Sequence, residues 1–534
     1  MPTWPNVLRQ TASQPPTSAI SRRVEVMGFG LSPTSENRWP DGIIPFEIDA
    51  TDFPAGTADR KAVTDAINTW NTVSIVRLVP RTTETTFTRF ISGSGCSTST
   101  GRDITVTGED AISCDIASGS FGAGNVMHEI GHAIGLIHEH QRTDRELMVT
   151  VDEANIRPEK VDDFKITDGC KLGSYDCGSI MHYSQTAFGK MVGGVTQTTI
   201  SIKPGVFCPA IGQRNNPSGG DIAATRALYE EVIGLTYKVT LPEFTDFCPT
   251  ITSNGKHVLL AWTGESNRDI NVRLSNDDGL TFPVKHIASD TSIDAPALVS
   301  VPDPYGGRAF IAWTGEGANK LNFAQVEWRD NPLSIDGLIN KETLSEESDH
   351  RPALTIHQGM TCLAWTGKDD RLNIMFGVLG GRPWAGKHTF DTETSDSSPT
   401  LTSYNGQLFM SWRGSGNKNI NVARVILDGT TVLGLADKVT LNDTSDYSPS
   451  LAAQDGLVFL GWTGEGAQHL NLRWSIDSGN CSQKFVLDGE SSDASPCLTE
   501  HKNQLTMSWR GSGDKRINVA KIAFRSRPSP PVVT

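Results

Sequence analysis

The stretch His128–Arg145 reads HEIGHAIGLIHEHQRTDR, and the interpretation of the whole chain depends on it. His128 and His132 stand four residues apart, so on a helix they lie one turn apart on the same face. Two imidazole nitrogens at that spacing can bind one metal ion. Gly135 follows, and because it lacks Cβ it can end the helix in a left-handed conformation. The chain can then turn back and bring His138 in as a third ligand.

Three neutral histidine nitrogens with an open fourth position are typical of a catalytic zinc site, since a structural site is closed by a fourth protein ligand. Glu129 is placed to hold its carboxylate against a reacting water instead of the metal. The pattern HExxHxxGxxH fixes five positions, which argues against chance spacing on an ordinary histidine-rich helix. The sequence therefore predicts one Zn²⁺ per chain, bound by His128, His132 and His138.

The extended motif resembles that of the metzincin metallopeptidases, and its continuation through Glu139 to Arg145 resembles the astacin family in particular. Downstream, Ser179–Tyr183 reads SIMHY and is similar to the turn that astacins place beneath the metal. The resemblance implies that Met181 is the hydrophobic floor of the site. It also implies that Tyr183 is a switchable ligand that swings away to bind the developing oxyanion. Taken alone, Met181 would be a core residue and Tyr183 a hydrogen-bonded phenol.

The resemblance covers residues 38 to 232, from RWPDGIIPF at Arg38–Phe46 to a helix expected over 220–230. It implies an α+β peptidase domain whose mature amino terminus is buried near Glu139. Measured from the opening segment, that terminus falls close to Gly30, so we expect cleavage there. Within the domain, the apolar period over 57–70 predicts a helix, and alternation over 104–106 predicts an edge strand of the kind that binds substrate in metzincins.

Nine cysteines are an odd number, so at least one is free or pairs between chains. The resemblance implies a disulfide between Cys96 and Cys114. Cys170, Cys177 and Cys208 are additional, and the simplest local bridge joins Cys170 to Cys177. The sequence leaves the pairing of the remaining cysteines open. A retained bridge favours an oxidising, extracellular location, although the first thirty residues lack the apolar core of a secretory signal.

Composition limits the remaining possibilities. A chain of 534 residues is too long for one ordinary core, so two or more domains are expected. A formal net charge of −14 argues against nucleic acid or an anionic membrane as a partner. No apolar run is long enough to span a membrane. Residues 1–30 are rich in Pro, Ser and Thr and are expected to be disordered or a short prosegment.

The C-terminal half repeats itself six times with a period near fifty residues. Each repeat has four short runs in which apolar and polar residues alternate, which predicts four strands. Each also has a Trp followed by Thr-Gly or Arg-Gly and, eight or nine residues after the Trp, an Asn. The pairs are Trp262/Asn271, Trp313/Asn322, Trp365/Asn373, Trp412/Asn421, Trp462/Asn471 and Trp509/Asn518. Four strands repeated six times are typical of a six-bladed β-propeller.

The fourth strand of each repeat begins with a basic residue, and the first such run, Lys238–Leu241, precedes the first Trp. No such run follows the last repeat. We therefore expect 238–241 to pair with the strand around 518–522 and complete the last blade, which would remove an exposed sheet edge.

Two readings of the propeller remain open. In one, the Trp and Asn residues only pack and hydrogen-bond within the blades. In the other, the six Trp rings are candidate ligand-binding faces of a multivalent, lectin-like module for glycans or glycoproteins. Ser275–Phe282 resembles the structural Asp-box turn of sialidases. Because only Arg413 and Arg510 stand beside one of the six repeated Trp residues, the arginine cluster of a sialidase is missing and glycosidase activity is not expected.

The sequence thus predicts a multidomain protein with an α+β astacin-like peptidase domain followed by an all-β six-bladed propeller. We expect an N-terminal segment over 1–30, the peptidase over 31–235, the propeller over 236–526 and a Pro-rich tail over 527–534. The predicted activity is zinc-dependent hydrolysis of peptide bonds in proteins, with Glu129 and Tyr183 as catalytic residues. The alternative is a binding protein whose peptidase domain is latent or inactive.

Overall fold

The structure, a computed structural model, describes residues 28–533 apart from gaps at 94, 96, 106–107, 114–121, 174, 207, 209, 303–306, 475–483 and 527–532. The expected disulfide between Cys96 and Cys114 therefore lies outside the described residues, as do nearly all of the N-terminal segment and most of the Pro-rich tail. In the ranges that are described, no helix has the length and apolar character needed to cross a membrane.

The N-terminal half is an α+β domain in which two helices pack together beside a four-stranded sheet. The strands lie in the order Arg77–Pro80, Ile43–Ile48, Phe87–Ile91 and Glu109–Ser113, and all are parallel. Helix α1 spans Ala58–Val73 and helix α2 spans Ala123–Ile134. The Thr57 side chain caps α1 by accepting a hydrogen bond from the Arg60 amide, and the predicted apolar face of α1, ending at Trp70, is buried.

The prediction of a strand over 104–106 is wrong for 104 and 105, the two of these residues that the structure describes. Ile104 and Thr105 lie in a turn, and Ile104 is exposed. The strand at this edge of the sheet is Glu109–Ser113. Three residues of alternation are too short a pattern to locate a strand against competing turn signals.

The rest of the domain consists of short elements and helix α3, which spans Gly219–Tyr229. Ser218 and Asp221 form a reciprocal capping box that starts this helix. The 3-10 turns are Pro40–Gly42, Glu139–Gln141, Arg145–Leu147, Glu153–Asn155 and Pro158–Phe164. The short strands are Phe29–Gly30, Val149–Val151, Cys170–Lys171, Met191–Val192, Val195–Thr196 and Ile200–Ile202.

The simplest local disulfide is not the one formed. Cys177 pairs with Cys208, with Cα atoms 5.6 Å apart, whereas Cys170 is disulfide-bonded but not to Cys177. Cys170 begins a strand that pairs with Phe29–Gly30. Sequence separation is therefore a poor guide to pairing when two cysteines lie on different elements.

The C-terminal half is a six-bladed β-propeller, as predicted. Each blade is a four-stranded antiparallel sheet, and the first strands of neighbouring blades contact one another around a closed ring. Blades 1 to 3 are formed by Thr250–Ser253, Val258–Thr263, Asp269–Ser275 and Val284–Thr291; by Ala297–Ser300, Ala309–Thr314, Lys320–Asp330 and Leu333–Glu347; and by Ala353–His357, Met360–Thr366, Arg371–Val378 and Trp384–Thr394. Blades 4 to 6 are formed by Thr400–Tyr404, Gln407–Arg413, Asn419–Asp428 and Thr431–Thr444; by Ser450–Gln454, Leu457–Thr463, His469–Trp474 and Lys484–Ser491; and by Cys497–His501, Gln504–Arg510, Arg516–Phe524 and Val232–Phe244.

The predicted ring closure is confirmed. The strand Val232–Phe244, here called the closing strand, is the outer strand of blade 6 and pairs antiparallel with Arg516–Phe524. The expected boundary between residues 235 and 236 falls inside this strand. Only Glu230 and Glu231 separate helix α3 from it. The end of the peptidase domain therefore runs directly into the last blade of the propeller.

The Trp and Asn of each repeat are a cross-strand pair. They face each other in register between the second and third strands of every blade. Each Asn side-chain amide donates to the carbonyl two residues before it, at 2.8–3.2 Å. All six Trp side chains are 0–1% exposed. These rings have no free face for a sugar, so we do not propose them as ligand sites; the packing interpretation accounts for them.

A ring of lysines covers the six buried Trp residues. In every blade, a Lys from the outer strand lies 5.2–5.4 Å from the centre of the Trp ring and pairs with a carboxylate on the outer strand of the preceding blade. These pairs are Lys238–Glu490, Lys285–Glu243, Lys341–Asp290, Lys387–Glu346, Lys438–Glu393 and Lys484–Asp443. The closing strand supplies one lysine and one carboxylate, so the ring of pairs is complete only with it in place.

The two halves share one hydrophobic cluster that extends from the peptidase helices into blades 5 and 6. At its edge, Arg226 of α3 pairs with Asp455 in a turn of blade 5 at 2.7 Å. Arg525, just after the last strand of blade 6, reaches back to Asp41 at 2.7 Å and Glu231 at 2.9 Å. The propeller is therefore docked on the peptidase domain by apolar burial with polar contacts around it.

Candidate metal centre

Helix α2 places the first two histidines, as the motif predicts. His128 and His132 are both buried, and the helix ends at Gly135, whose φ of 114° is the left-handed conformation that favours glycine. The Gly135 amide donates to the carbonyls of Gly131 and His132, which closes the helix. The chain then reverses and brings His138 to the same point.

The three imidazoles converge through their Nε2 atoms. Nε2 of His138 lies 3.2 Å from Nε2 of His128 and 3.1 Å from Nε2 of His132. Each Nδ1 is bonded elsewhere: that of His128 to Ile180 O at 2.8 Å, that of His132 to Leu136 O at 2.8 Å and that of His138 to Gln141 Oε1 at 3.2 Å. Because an Nδ1 that faces a carbonyl carries the proton, each Nε2 presents a lone pair to the centre of the cluster.

This donor set fits a zinc ion. Two nitrogens that each lie about 2.0–2.1 Å from one ion in tetrahedral geometry are roughly 3.3 Å apart, close to the separations observed here. Burial lowers the pKa of His132 to about 4, and it also lowers the pKa values of His128 and His138. The histidines are therefore neutral at neutral pH, which is the form that binds a metal.

Glu129 lies beside the cluster and is 5% exposed. Burial raises its pKa to about 7, and the nearby positive charge of Arg214 opposes that shift. Arg214 is held in place by donating from Nη1 to Ile180 O at 2.8 Å and to His182 O at 3.0 Å. The turn that carries Met181 thus holds a positive charge near the Glu129 carboxylate. Sequence reasoning missed this role, although Arg214 lies in the Gly-Gln-Arg segment where the domain closes.

Tyr183 lies next to the three histidines. Its ring centre is 4.4 Å from that of His138, and it stacks on His140 at 4.1 Å with an angle of 27° between the planes. Phe164 and Phe188 pack on its other sides. Burial raises the pKa of Tyr183 above its usual value, so the phenol keeps its proton and remains a hydrogen-bond donor.

Met181 packs beneath the histidine helix and is 1% exposed. Its Sδ would lie only 2.5 Å from a Cβ added at Gly131, so the helix can approach the methionine this closely only because residue 131 has no side chain. Met181 therefore occupies the floor position that the resemblance implies.

Behind the site, Glu139 is fully buried and accepts hydrogen bonds through one oxygen only. Its Oε1 receives the Asp176 amide at 2.7 Å and pairs with Arg142 at 3.2 Å. Oε2 is buried and has no hydrogen-bond partner among the described residues. Arg142 also donates to Gly28 O at 3.3 Å, which ties the start of the described chain to this carboxylate.

A network of serines and aspartates supports the turn that carries Met181, and the sequence analysis did not find it. Asp221 of α3 accepts from Ser179 Oγ at 2.6 Å and from the Ile180 amide at 2.9 Å. Ser218 Oγ lies 2.5 Å from Asp176 Oδ2 and 2.9 Å from Asp221 Oδ2. From the sequence, Asp221 can be predicted only as a helix-capping residue. Its second role depends on contacts with residues 41 and 42 positions away in the chain.

The structure brings together six of the predicted site residues: His128, Glu129, His132, His138, Met181 and Tyr183. Gly135 and Glu139 support them from the two sides of His138. The six Trp residues of the propeller lie in separate blades and take no part in this site. The histidine cluster is the single group of metal-ligating residues found among the described residues.

Comparisons with known proteins agree with this geometry. Residues 32–230 match the family Astacin (Peptidase family M12A). Over 202 residues, 36% of this chain, the chain is 35% identical to Bone morphogenetic protein 1 of Xenopus laevis and covers 27% of that protein. Over 198 residues, also 36% of this chain, it is 33% identical to Nematocyst expressed protein 6 of Nematostella vectensis and covers 65% of it. The chain thus spans less than two thirds of these curated relatives.

Among solved structures, the chain is similar to High choriolytic enzyme 1, a hatching enzyme zinc-protease from Oryzias latipes (Medaka fish). The identity is 31%, the match covers 36% of this chain and 92% of that one, and the TM-score is 0.31. Through the domain that carries the three-histidine cluster, the chain belongs to the astacin family of peptidases.

Proposed function

We propose that this protein is a zinc-dependent endopeptidase that hydrolyses peptide bonds in protein substrates. The observation that carries the proposal is the convergence of three imidazoles through their Nε2 atoms. That of His138 lies 3.2 Å from that of His128 and 3.1 Å from that of His132, and Glu129 is on the same helix as the first two histidines. His128, His132 and His138 would bind one Zn²⁺ per chain. A bound zinc ion supplies Lewis acidity toward the scissile carbonyl and makes a bound water more acidic.

The side chains of the site perform the proton transfers. The Glu129 carboxylate takes a proton from the attacking water and returns it to the leaving amine. Its buried position strengthens its basicity, since burial disfavours the charged form. The Tyr183 phenol donates a hydrogen bond to the oxygen on which negative charge develops. His140, Phe164 and Phe188 restrict the Tyr183 ring to positions near the histidines.

The test pairs zinc content with casein hydrolysis for the wild type and Glu129→Gln. Gln keeps the size of the side chain but cannot accept the proton, so we expect activity to fall about 10²–10⁴-fold while one zinc per chain is retained. Full activity in Glu129→Gln would overturn the mechanism. Zinc without activity in the wild type would favour the alternative of a latent enzyme and would be followed by deletion of residues 1–30.

We also propose that residues 1–30 form a prosegment removed by cleavage near Gly30. The buried Oε2 of Glu139, which has no hydrogen-bond partner among the described residues, supports an arrangement in which the new amino terminus lies near Glu139. Secretion is proposed as well, and the Cys177–Cys208 disulfide supports it because such bonds persist in oxidising compartments. Amino-terminal sequencing of active protein tests the cleavage, and an intact Met1 would contradict it.

For the propeller we propose a target-binding role, with glycans or protein surfaces as the targets. Because the six Trp rings are buried, binding of this kind must use the loops at the blade ends. Retention of the protein on immobilised glycoprotein, compared before and after removal of the glycans, tests which class of target is bound.

A further inference from the structure

The first strands of the six blades enclose a central channel with a volume of about 240 Å³. This is room for roughly eight water molecules, since a water occupies about 30 Å³ in the liquid. Hydroxyl-bearing residues from several blades line it, among them Thr250, Thr400 and Ser450 at the end where the strands begin. Two charged residues line the channel: Arg351 at that same end, and Glu500 toward the other.

Arg351 occupies a position that repeats in every blade, immediately before the proline that precedes the first strand. The six residues at this position are Cys248, Ala295, Arg351, Ser398, Ser448 and Ser495. Five of them are small and uncharged, so the channel mouth contains one guanidinium contributed by one blade. A structural requirement of the propeller would apply to all six blades, and packing therefore does not explain this arginine.

The guanidinium of Arg351 is buried without an ion pair. The residue is 7% exposed, and among the described residues its side chain makes one hydrogen bond, from Nη1 to Cys248 Sγ at 3.2 Å. The neighbouring carboxylate of Asp294 instead accepts from the backbone amides of Ala295 and Arg351. By contrast, Arg413 and Arg510 in other blades pair with Asp396 at 3.1 Å and with Asp493 at 2.8 Å.

Asp294 attracts the guanidinium electrostatically without forming an ion pair with it, and neither nearby thiol supplies a negative charge. Burial raises the pKa of Cys248 to about 12 and raises the pKa of Cys497 above its usual value, so both remain neutral at neutral pH. Glu500 lies three residues along the strand from Cys497, about 10 Å away at the rise of a β-strand, and its carboxylate accepts from the Asn503 amide. A buried charge in this position is ordinarily paired.

We propose that the mouth of the channel around Arg351 is a binding site for a small oxyanion, a carboxylate or a phosphate. The planar fork of a guanidinium matches either group with two parallel hydrogen bonds. Thr400 and Ser450 line the same end of the channel, and their hydroxyls would donate to the remaining oxygens. The site goes beyond the peptidase reaction and does not depend on it.

Cys497 lines the channel and provides a reporter for the test. The full-length protein is treated under native conditions with iodoacetate or with iodoacetamide, which are similar in size but differ in charge, and alkylation of Cys497 is followed by mass spectrometry. If Arg351 attracts oxyanions, the ratio of the iodoacetate rate to the iodoacetamide rate should be about ten-fold or more higher in the wild type than in Arg351→Met. Arg351→Lys, which keeps the charge, should recover much of that ratio.

Cys362 is the control thiol, because it is fully buried in blade 3 and reacts only if the propeller opens. Added inorganic phosphate and added acetate then show which oxyanion protects Cys497 from the neutral reagent. Equal rate ratios in the wild type and Arg351→Met, with Cys362 unmodified, would overturn the proposal. So would failure of both oxyanions to protect Cys497, or a Cys497 that reacts with neither reagent, since the channel would then be closed to small molecules.

Discussion

Buried carboxylates at the back of the metal centre carry more negative charge than their neighbours neutralise. Glu139, Asp176 and Asp221 are all 0% exposed, and Arg142 pairs with Glu139. Burial raises the pKa of Asp176, and the adjacent charge of Asp221 raises it further. At neutral pH the fold therefore favours at least one of these groups in its protonated form.

The pH dependence of stability tests this interpretation. A carboxyl whose pKa is higher in the folded chain stabilises the fold below its unfolded pKa, and that contribution is lost as the pH rises through the folded pKa. Between about pH 4 and pH 8, we expect the free energy of unfolding to fall more in the wild type than in Asp176→Asn, because Asn imitates the protonated acid and does not titrate. Urea unfolding at a series of pH values measures the difference.

The control for that comparison is Asp162→Asn, because the Asp162 side chain is 83% exposed on the same domain. Its pH profile should follow that of the wild type. If the profiles of the wild type and Asp176→Asn run parallel over the same range, the inference that the pKa of Asp176 is raised in the folded protein is wrong.

At the scale of elements, helix α2 and the turn beneath it are fitted to each other at Gly131. A methyl group at this position would lie 2.5 Å from Met181 Sδ and 3.3 Å from its Cε. Alanine is the better helix former by about 1 kcal/mol, but overpacking a buried site costs about 1–3 kcal/mol. We expect Gly131→Ala to lower the free energy of unfolding and the affinity for zinc, measured by urea titration with and without the metal.

A double-mutant cycle separates the contact from the helix propensity. If the methyl group that Gly131→Ala adds collides with Met181, the substitution should be better tolerated in a Met181→Ala background than in the wild type. Independent effects of the two substitutions would show that the close approach of α2 to the methionine does not matter.

The elements that were predictable from sequence are those specified by local patterns. The α2 helix, its end at Gly135 and the return of His138 follow from spacing within eleven residues, and the propeller follows from a repeat. The roles of Asp176, Asp221 and Arg214 depend on contacts across the fold, which no local pattern contains. The repeated Trp residues show a further limit of prediction from sequence. The same repeat would be seen whether the rings faced a ligand or the blade core, and only their burial in the structure distinguishes these two roles.

At the scale of the whole molecule, the contact between the two halves includes a turn of blade 5. A Cβ added to Gly456 would lie 2.6 Å from Ala223 Cβ on helix α3. The equivalent turn of blade 4 has Gly406, where the nearest atom would be 3.9 Å away. Both glycines have left-handed backbones, with φ of 88° and 71°.

Comparing substitutions at these two glycines measures how much the contact between the halves contributes to stability. Replacing either with alanine costs roughly 1–2 kcal/mol of backbone strain, but only Gly456→Ala also pushes the halves apart. We expect Gly456→Ala to be the more destabilising of the two substitutions. In that variant, casein hydrolysis and the folded propeller should no longer be lost together. Unfolding of the propeller is monitored by tryptophan fluorescence. Equal effects of the two substitutions would show that the halves do not stabilise each other there.

The two-residue junction between α3 and the closing strand has a consequence for the resistance of the protein to proteolysis. Domains are usually joined by exposed, flexible linkers, and these are the segments that proteases cut first. Here Glu230 and Glu231 are the whole junction, and the strand that follows is bound into a sheet. A protease therefore finds no flexible linker between the two halves, and we expect limited proteolysis to leave the peptidase domain joined to the propeller.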